Sequence, residues 1–521
     1  MKGYFMLVFH THLPFVKGEG VWPFGEEWLY EVMYSSYIPL IKTLEELYDE
    51  GIKLNVTLSI TPVLLSQLMM PECIDGFRSY MLRKIELISA DRDYFKHTGE
   101  IDLYNLTFYY RDILEERLRY FEELGGNIVN KISELAKNGA IELITSSATH
   151  AYLPLLKNEK SIKLQLKVGR EEHISNTGII PYGMWLPECA YRPGLEKFMS
   201  EVGYKFSFFE ESAISGGKVF SPYGGDKGNL TLSKNHSVFR PYYIKDSNVS
   251  AFGRAGDLSG QIWSKDMGYP GEAFYREFHK RKEGSGLQYW RVTGPDVDLG
   301  VKEPYIPDLA LKKTKEHAGH FLWRLERTVE SLDIPNPVIV TPFDTELFGH
   351  WWWEGIDFLR EFFIRIDSSP IIETITPSRY LASFPPTESI EIPESSWGVG
   401  GKHDVWYNED TRWMWEKIYE IENKLDRVLS GKEFSGWQER IADQLIREFL
   451  LLTSSDWEFL IYTKSAGDYG ERRFNGHLTL VKLLIDLLNK PELSNEDKKF
   501  IVDLERRHSI FSKRKLWSFW R

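Results

Sequence analysis

Two carboxylates stand directly after apolar, strand-like runs of the chain. Glu188 closes the run GMWLPE at 183–188, and Asp344 closes the run PVIVTPFD at 337–344. Two acids brought by different strands to one groove can cleave a glycosidic bond: one protonates the departing oxygen, and the other attacks the anomeric carbon or activates water. Glu346 competes with Asp344, because their spacing does not decide which one faces the groove. For Glu188, the alternative is an acid favoured by the dipole at a helix N-terminus.

A pair of histidines supports a second kind of chemistry. His10 and His12 alternate along the first apolar run and therefore point to the same side of a strand. Such a pair begins the ligand set of metal-dependent amidohydrolase barrels, and His150 with Asp344 could complete it. Histidine also hydrogen-bonds sugar hydroxyls, and carboxylates beside tryptophan suit a sugar better than a metal-bound hydroxide. A structural, hydrogen-bonded role is the third interpretation of each histidine.

Tryptophan is abundant, with 17 residues in a chain whose aromatic fraction is 14%. Flat rings stack on the C–H faces of sugars, although aromatic cores would give the same composition. Trp397 and Trp406 lie in the glycine-rich segment 395–413 and are predicted sugar platforms, because glycines allow the backbone to approach a ligand. The consecutive Trp351–Trp353 would point about 100° apart on a helix. We expect one of them to line the groove and the others to pack the barrel against a C-terminal domain.

The elements that must position these residues alternate between strands and helices. Amphipathic helical segments separate the apolar runs, which are 4–10, 53–60, 140–147, 183–188, 205–210 and 337–344. This alternation predicts an α/β fold in which helices cover a parallel sheet. The polar residues stand at the carboxyl ends of the strands, where an α/β barrel places its chemistry. Six or seven strands indicate an incomplete barrel as readily as the regular eight.

The chain of 521 residues is too long for one core and divides into predicted parts. Residues 1–394 form the predicted catalytic barrel, in which 66–125 is a helical lobe and 213–235 is a mobile loop rich in Gly, Ser, Lys and Asn. From about residue 395 the pattern is helical, with Ser494 as a predicted N-cap. The C-terminal helical domain, 395–521, is expected to contribute to the groove.

Composition excludes several classes of partner. The formal net charge of −12 argues against nucleic acid and against an anionic membrane surface. Two cysteines cannot make a disulfide framework, and a reduced compartment is the simpler interpretation. The N-terminal run is interrupted by histidines and lacks the features of a signal peptide, and no run approaches 18 apolar residues. We therefore predict a cytoplasmic protein; the sequence does not define its oligomeric state.

Five ordered segments carry a resemblance to a known family. They are HTHLP (10–14), IELITSSATHAYLPLL (141–156), WLPECAYRPG (185–194), TPFDTELFGHWWWEG (341–355) and the segment from Ser396. These segments resemble the five motifs of glycoside hydrolase family 57, and they are most similar to its 1,4-α-glucan branching-enzyme subfamily, which also contains α-amylases. The resemblance extends from residue 10 to about residue 460.

The resemblance implies a fold, a reaction and a set of site residues. The implied fold is an incomplete (β/α)7 barrel with a small inserted domain and a C-terminal helical domain. The implied reaction is a retaining double displacement on α-1,4-glucans such as amylose, starch or glycogen, with no cofactor and no metal. Glu188 matches the nucleophile and Asp344 the general acid/base. The predicted substrate-binding residues, in which Trp185 is included because it flanks Glu188, are His10, His12, His150, Trp185, Arg254, Trp263, Gly271, Trp397, Trp406 and Asp456.

Two departures bear on the outcome of the reaction. Lys464 and Ser465 replace the Gly and Gln typical of branching members, and the loop 213–235 is short, with Tyr223 as its only tyrosine. A short lid shields the covalent intermediate poorly, so hydrolysis of the α-amylase kind is the main prediction. The alternative is a 1,4-α-glucan branching enzyme that forms α-1,6 branches. A metal-dependent amidohydrolase and a non-catalytic glucan-binding protein are remote alternatives.

Overall fold

Seven parallel strands form the barrel that carries the predicted site. The computed structural model describes residues 2–21, 23–218, 229–230, 232, 234–266, 268–511 and 515–520; Tyr223 and most of the predicted loop 213–235 lie outside them. The barrel strands are β1 (Gly3–Thr11), β2 (Val56–Ile60), β3 (Ile141–Ser146), β4 (Met184–Trp185), β5 (Phe206–Phe209), β6 (Ser250–Gly253) and β7 (Val338–Asp344).

The barrel strands belong to two sheets that meet at two seams. One sheet contains β7, β1, β2, β3 and β4 in that order, and the other contains β5 beside β6. A bridge between Gly183 and Phe206 joins β4 to β5. At the other seam, the Ala255 amide donates to the Val340 carbonyl at 2.8 Å and joins β6 to β7. The predicted incomplete (β/α)7 barrel is confirmed, and its sixth strand is one that the apolar runs did not reveal.

The register of β1 brings polar residues to the carboxyl edge of the barrel. His10 stands opposite Asp344 of β7 and Ser59 of β2. The residues of β1 that precede His10 are almost continuously buried, because helices cover the outside of the strand and side chains fill the barrel. The polar side chains are therefore confined to the end of the strand, where loops and C-terminal helices meet them.

Helices surround the barrel and build the parts outside it. The α-helices are Glu26–Val32, Ile38–Asp49, Pro62–Leu68, Pro71–Thr98, Ile101–Glu123, Ile128–Lys137, Glu159–Thr177, Leu195–Val202, Glu211–Ser215, Gly256–Trp263, Pro307–Ser331, Gly355–Asp367, Pro377–Ser383, Arg412–Leu429, Gly436–Leu452, Asp456–Thr463, Tyr469–Leu488 and Asn495–Arg507. A π-helical turn, Met33–Tyr37, joins the first two of them. Further short strands are Gly217–Lys218, Asn229–Leu230, Tyr242–Ile244, Ile372–Thr374 and Ser389–Ile390.

The tryptophan run at 351–353 mainly packs the barrel. Trp352 is buried beside Phe358, and Trp353 donates from Nε1 to the Tyr109 hydroxyl at 3.3 Å on the long helix Ile101–Glu123. Trp351 alone is exposed, with 41% of its surface accessible. The prediction that the remaining tryptophans pack against the C-terminal domain is wrong. Trp353 meets a helix of the insertion after β2, and the rings around Trp352 are those of Tyr269, Tyr275, Phe348 and Phe358.

The C-terminal helices begin after residue 411, and one of them reaches the barrel edge. Ser454 forms a bridge with Ala151, and the next helix starts at Asp456, whose carboxylate contacts His12. Ser494 caps the last α-helix, as predicted, through a capping box with Asp497. Among the described residues, no helix is both long and apolar enough to cross a membrane.

A buried carboxylate cross-links the C-terminal helices. Glu448 accepts hydrogen bonds from His477 Nδ1 at 2.8 Å and from His508 Nδ1 at 2.7 Å, and all three side chains are buried. Burial alone would raise the pKa of Glu448, but the two histidine hydrogen bonds outweigh it and hold that pKa well below its ordinary value. The ionised form of Glu448 is therefore part of the folded structure.

Replacing Glu448 with Gln should lower the free energy of unfolding by about 3 kcal/mol, because two buried imidazoles lose the charge that they share. Since its folded-state pKa is depressed, Glu448 stabilises the protein above the unfolded-state pKa of about 4, and this contribution is lost as the pH falls. Denaturant unfolding between pH 6 and pH 3 should show a steeper loss of stability for the wild type than for Glu448→Gln. The exposed Glu492→Gln is the control and should follow the wild type; parallel curves for Glu448→Gln and the wild type would contradict the prediction.

Candidate active site

A strained turn after β4 presents Glu188. The turn Pro187–Cys189 is a single 3-10 turn in which Glu188 has φ 61° and Cys189 has φ 49°. Non-glycine residues adopt such positive φ values at a cost of order 1–3 kcal/mol, and they are enriched at functional sites. The proline and the turn end the strand abruptly, so the carboxylate stands at the barrel edge and not within the sheet.

Two donors from outside the barrel strands hold the Glu188 carboxylate. Trp397 Nε1 donates to Oε2 at 2.8 Å, and the Ser455 hydroxyl donates to Oε1 at 3.1 Å. The Trp397 amide also donates to the Glu188 carbonyl at 3.0 Å, which fixes the backbone of the turn. Each carboxylate oxygen therefore has its own donor, and these donors come from two different segments of the chain.

Asp344 ends β7 on the same edge of the barrel. Its strand neighbour is His10, and its negative charge raises the pKa of Glu188, so the two carboxyls face one region. Among the described residues no group hydrogen-bonds to the Asp344 side chain. Glu346, the competing acid, is instead buried and accepts a hydrogen bond from the Tyr37 hydroxyl of the π-helical turn. The geometry thus favours Asp344 over Glu346 as the acid available to a ligand.

Burial sets the protonation of both carboxyls. Burial raises the pKa of Glu188 to about 7; the hydrogen bond from Trp397 opposes this effect, and the charge of Asp344 adds to it. The pKa of Asp344 is raised well above its ordinary value by burial and by Glu346, against the opposing charge of Arg254. Both pKa values are thus raised, and the two hydrogen-bond donors of Glu188, which have no counterpart at Asp344 among the described residues, favour ionisation of Glu188 over that of Asp344.

Three histidines connect the strand ends. His10 Nε2 lies 3.0 Å from His150 Nε2, and the His10 ring stacks on Trp185 with centroids 4.7 Å apart. His12 contacts Thr61 through Nδ1 at 3.0 Å and Asp456 through Nε2 at 3.1 Å. The structure therefore brings His10, His12 and His150 together with Asp456, as expected of one site.

The arrangement of these groups suits a metal poorly. His12, His150 and Asp456 have ligand atoms within 4.8 Å of one another. The His12 and His150 rings, however, are stacked face to face at 3.9 Å with an interplanar angle of 20°. Imidazole donates its lone pair in the plane of the ring, so stacked rings do not converge on one ion. The other group with suitable ligand atoms, Glu448 with His477 and His508, lies within the C-terminal helices.

Aromatic and cationic side chains complete the wall beside Glu188. The rings of Trp185 and Trp397 meet edge to face at 5.1 Å. Arg254, which follows β6, lies 5.9 Å from the centre of the Trp397 ring and pairs with buried Glu210 at 3.3 Å. Arg254 also lowers the pKa of Asp344, so its guanidinium lies close enough to act on that carboxyl.

Trp406 is placed differently from the prediction. Its ring is fully buried and stacks on Tyr152 at 4.4 Å, and its carbonyl accepts from Trp415 Nε1 at 2.8 Å. No face of a fully buried ring is open to a sugar, so Trp406 is a packing residue and not a platform. Tyr152 in turn bonds His403 Nδ1 through its hydroxyl at 2.6 Å.

Trp263 and Gly271 lie on the segment that follows β6. Trp263 is partly exposed and meets the exposed Trp351 edge to face at 5.9 Å, at the border of the barrel edge. Gly271 ends the turn Tyr269–Gly271, where a Cβ atom would stand 1.8 Å from the Lys265 carbonyl oxygen. This contact explains the glycine by backbone packing alone, without a ligand.

Ser455 is the site residue that sequence reasoning missed. It contacts both Glu188 and His150, but a serine before a helix is ordinarily an N-cap, and the neighbouring Asp456 carried the only sequence signal. The departure at Lys464 has a structural meaning: Lys464 caps the same helix in the left-handed conformation, φ 53°, which glycine usually provides.

Replacing Trp397 with Phe should raise the pKa of Glu188 above its value of about 7 by about one pH unit, because the ring keeps its shape but loses the donor to the carboxylate. The Glu188 carboxyl carbon can be followed by ¹³C NMR titration and assigned by its loss in Glu188→Gln. Trp413→Phe is the control, since its Nε1 donates to the Asp410 carbonyl, away from the site. A pKa that is unchanged or lower in Trp397→Phe would refute the role given to this hydrogen bond.

Comparison with known proteins agrees with this geometry. A family profile described as Glycosyl hydrolase family 57 matches residues 6–393, and one described as 1,4-alpha-glucan branching enzyme, C-terminal, matches residues 417–519. A 1,4-alpha-glucan branching enzyme of Thermococcus kodakarensis is 39% identical, over 98% of this chain and 78% of the relative.

Two solved structures are similar over their whole length. The branching enzyme of Pyrococcus horikoshii has a TM-score of 0.91 and 36% identity, and the match covers 100% of this chain and 97% of that one. The α-amylase AmyC of Thermotoga maritima has a TM-score of 0.86 and 29% identity, with 100% and 99% covered. The profile spans most of the sequence, and these relatives match nearly all of it: the chain belongs to glycosyl hydrolase family 57.

Proposed function

We propose that this protein is a retaining 1,4-α-glucan branching enzyme, which cleaves α-1,4-glucosidic bonds and rejoins the released chain as an α-1,6 branch. The observation that carries the chemistry is the pair of carboxyls at one barrel edge, the buried Glu188 with two donors and the half-buried Asp344 with a raised pKa. The substrate class rests on the relatives, whose names describe branching enzymes, an α-amylase and, at lower similarity, a 4-alpha-glucanotransferase.

The reaction proceeds in two displacements. Glu188 attacks the anomeric carbon, the bond to the departing O4 breaks, and Asp344 transfers its proton to that oxygen. Asp344, now ionised, then takes the proton of an acceptor 6-hydroxyl while O6 attacks the anomeric carbon and the bond to Glu188 breaks. Each displacement inverts the anomeric centre, so the new linkage keeps the α configuration.

The surrounding residues have proposed roles that follow from their positions. Asp456 and His12, both partly exposed, present a carboxylate and an imidazole to the hydroxyls of a glucose ring at the cleavage point. The buried rings of Trp185 and Trp397 exclude water from the neighbouring Glu188. Arg254 limits the negative charge that accumulates around Asp344. Trp263 and Trp351 offer exposed ring faces farther along the edge, where an incoming chain would approach.

We propose branching and not hydrolysis, which was the main prediction from the sequence. That prediction rested on the short loop 213–235 and on Lys464 with Ser465. The branching relatives are 36–39% identical, whereas the α-amylase AmyC is 29% identical, and the C-terminal profile is also named for branching enzymes. Hydrolysis remains the second candidate because of AmyC. The stacked histidines argue against the amidohydrolase alternative, and two carboxyls with raised pKa values at one edge of the barrel argue against a binding protein without catalysis.

Glu188→Gln and Asp344→Asn should each reduce turnover of amylose by about 10³-fold or more, because each removes a group that changes covalent or proton partners in the reaction. Glu346→Gln is the matched control, since it changes a buried acid two residues from Asp344 that is held by Tyr37. It should keep more than about a tenth of the activity. Equal losses of turnover in Glu346→Gln and Asp344→Asn would contradict the assignment of Asp344 as the general acid/base.

Incubation with amylose should produce more α-1,6 branch points than new reducing ends. Transfer to a sugar hydroxyl conserves the number of reducing ends, whereas each hydrolysis creates one. Branch points can be counted by ¹H NMR and by the chains that a debranching enzyme releases, and reducing ends by a colorimetric assay on the same sample. New reducing ends in excess of branch points would contradict the proposed branching activity and would indicate an α-amylase.

A further inference from the structure

A chain of hydrogen bonds runs from the interior of the barrel to Glu188. Ser59 Oγ lies 3.5 Å from His10 Nδ1, and His10 Nε2 lies 3.0 Å from His150 Nε2. His150 Nδ1 lies 2.9 Å from the Ser455 hydroxyl, which lies 3.1 Å from Glu188 Oε1. These five side chains, which we call the relay, come from β2, β1, the loop after β3, the C-terminal helices and the turn after β4.

The ionised carboxylate of Glu188, at one end of the relay, fixes the direction of every hydrogen bond in it. An ionised Glu188 can only accept, so Ser455 donates to it and must itself accept from His150 Nδ1–H. A neutral His150 then has a bare Nε2, which must accept from His10 Nε2–H. His10 in turn has a bare Nδ1, and Ser59 donates to it. Two neighbouring imidazoles are thus fixed in opposite tautomers, Nε2–H for His10 and Nδ1–H for His150.

The neutrality of both imidazoles is supported by their surroundings. His10 and His150 are buried, and burial together with the neighbouring His12 holds the pKa of each well below its ordinary value. At neutral pH each ring therefore has one N–H and one bare nitrogen. A proton added to either ring would place two N–H groups in opposition at the 3.0 Å contact between the Nε2 atoms.

We propose that the relay has a single polarity, with all its hydrogens directed towards Glu188, and that Ser455 and Ser59 are positioning residues that oppose protonation of the nucleophile. Trp397 can only donate to Oε2, and Ser455 is fixed as the donor to Oε1. The Ser59 Oγ lies 3.5 Å both from His10 Nδ1 and from the Thr145 carbonyl oxygen, so its single hydrogen can serve either acceptor. A proton on Oε1 would require both imidazoles to exchange tautomers and Ser59 to direct its hydrogen to Thr145 and not to His10. The proposal rests on the proposed function in one respect, the role of Glu188 as nucleophile.

Other charged groups also act on the relay. Asp344 at the end of β7 and Asp456 of the C-terminal helices raise the pKa of Glu188, and His12 of β1 lowers it. The charge of Glu188 in turn helps to raise the pKa of Cys189, the next residue, and the pKa of Tyr152. The test variants leave all of these residues unchanged, so a difference between variants reports the relay.

The first test reads the tautomers without substrate. Long-range ¹H–¹⁵N NMR spectra of the full chain labelled with ¹⁵N-histidine should show His10 as Nε2–H and His150 as Nδ1–H at pH 7.5, with assignments from His10→Gln and His150→Gln. The same tautomer in both rings, or a doubly protonated ring, would overturn the relay. Because this measurement needs no turnover, it remains valid if the protein proves not to act on α-glucans, and that failure would concern the proposed function alone.

The second test is the pH profile of kcat/KM on amylose, whose acid limb reports the ionisation of free Glu188. Ser455→Ala should move this limb to higher pH, with a loss of about tenfold at pH 6 for a shift of one pH unit and a much smaller loss at pH 8.5. Ser59→Ala should move the acid limb in the same direction by a smaller amount, because four hydrogen bonds separate Ser59 from Glu188. Ser455→Thr, which keeps the hydroxyl, should restore the wild-type limb.

The matched control is Thr57→Val, on the same strand as Ser59. The Thr57 hydroxyl is buried and has no hydrogen-bond partner among the described residues, so its loss changes β2 without touching the relay. Thr57→Val should keep the wild-type pH profile. An equal loss of activity at every pH in Ser455→Ala, or a shift in Thr57→Val as large as that in Ser59→Ala, would overturn the proposal.

Discussion

The candidate active site depends on keeping the Glu188 carboxyl ionisable in a place that little water reaches. Burial raises the pKa of Glu188 to about 7, and the strand that leads to it supplies no donor to its side chain. The donors, Trp397 and Ser455, lie more than 200 residues away in sequence, as the separations of 209 and 267 residues show. The glycine-rich segment and the C-terminal helices must therefore be folded onto the barrel before Glu188 has its chemistry. This requirement explains why a barrel carries helices that approach it at its carboxyl edge.

The same low-dielectric environment gives the two acids different roles. Asp344 has Glu346 as a neighbour and lacks a hydrogen-bond donor among the described residues, so burial and the Glu346 charge raise its pKa with only Arg254 opposing them. Glu188 has two donors, so its proton is released more readily. Arg254, which pairs with Glu210, also lowers the pKa of Asp344 and so moderates the negative charge at this edge of the barrel. The two carboxyls are thus distinguished by their hydrogen-bond donors and not by residue type.

Much of this arrangement could be predicted from sequence, and the exceptions have physical causes. Long apolar strands and the acids that follow them were visible because burial on both faces leaves a continuous hydrophobic run. The sixth strand, Ser250–Gly253, was missed because four residues that include Ser and Gly give no such signal. Trp406 was misplaced because a glycine-rich neighbourhood does not reveal whether a ring faces a ligand or a tyrosine. Ser455 was missed because its partners are distant in sequence, and the choice between Asp344 and Glu346 required the position of Tyr37.

The two seams of the barrel have a mechanical consequence. β5 and β6 belong to a small sheet of four strands. On one side this sheet meets the main sheet through the Gly183–Phe206 bridge and through hydrogen bonds from the Lys205 amide to the Tyr182 carbonyl and from the Ser207 hydroxyl to the Met184 carbonyl. On the other side the Ala255 amide donates to the Val340 carbonyl. This panel ends in Glu210 and Arg254, whereas Glu188 and Asp344 are anchored on strands of the main sheet. A displacement of the panel would widen or narrow the groove and move the guanidinium relative to the acids, yet it would leave every ladder of the main sheet intact. The position of Arg254 and the spacing of the Glu188 and Asp344 carboxyls are thus set by two different sheets of one barrel.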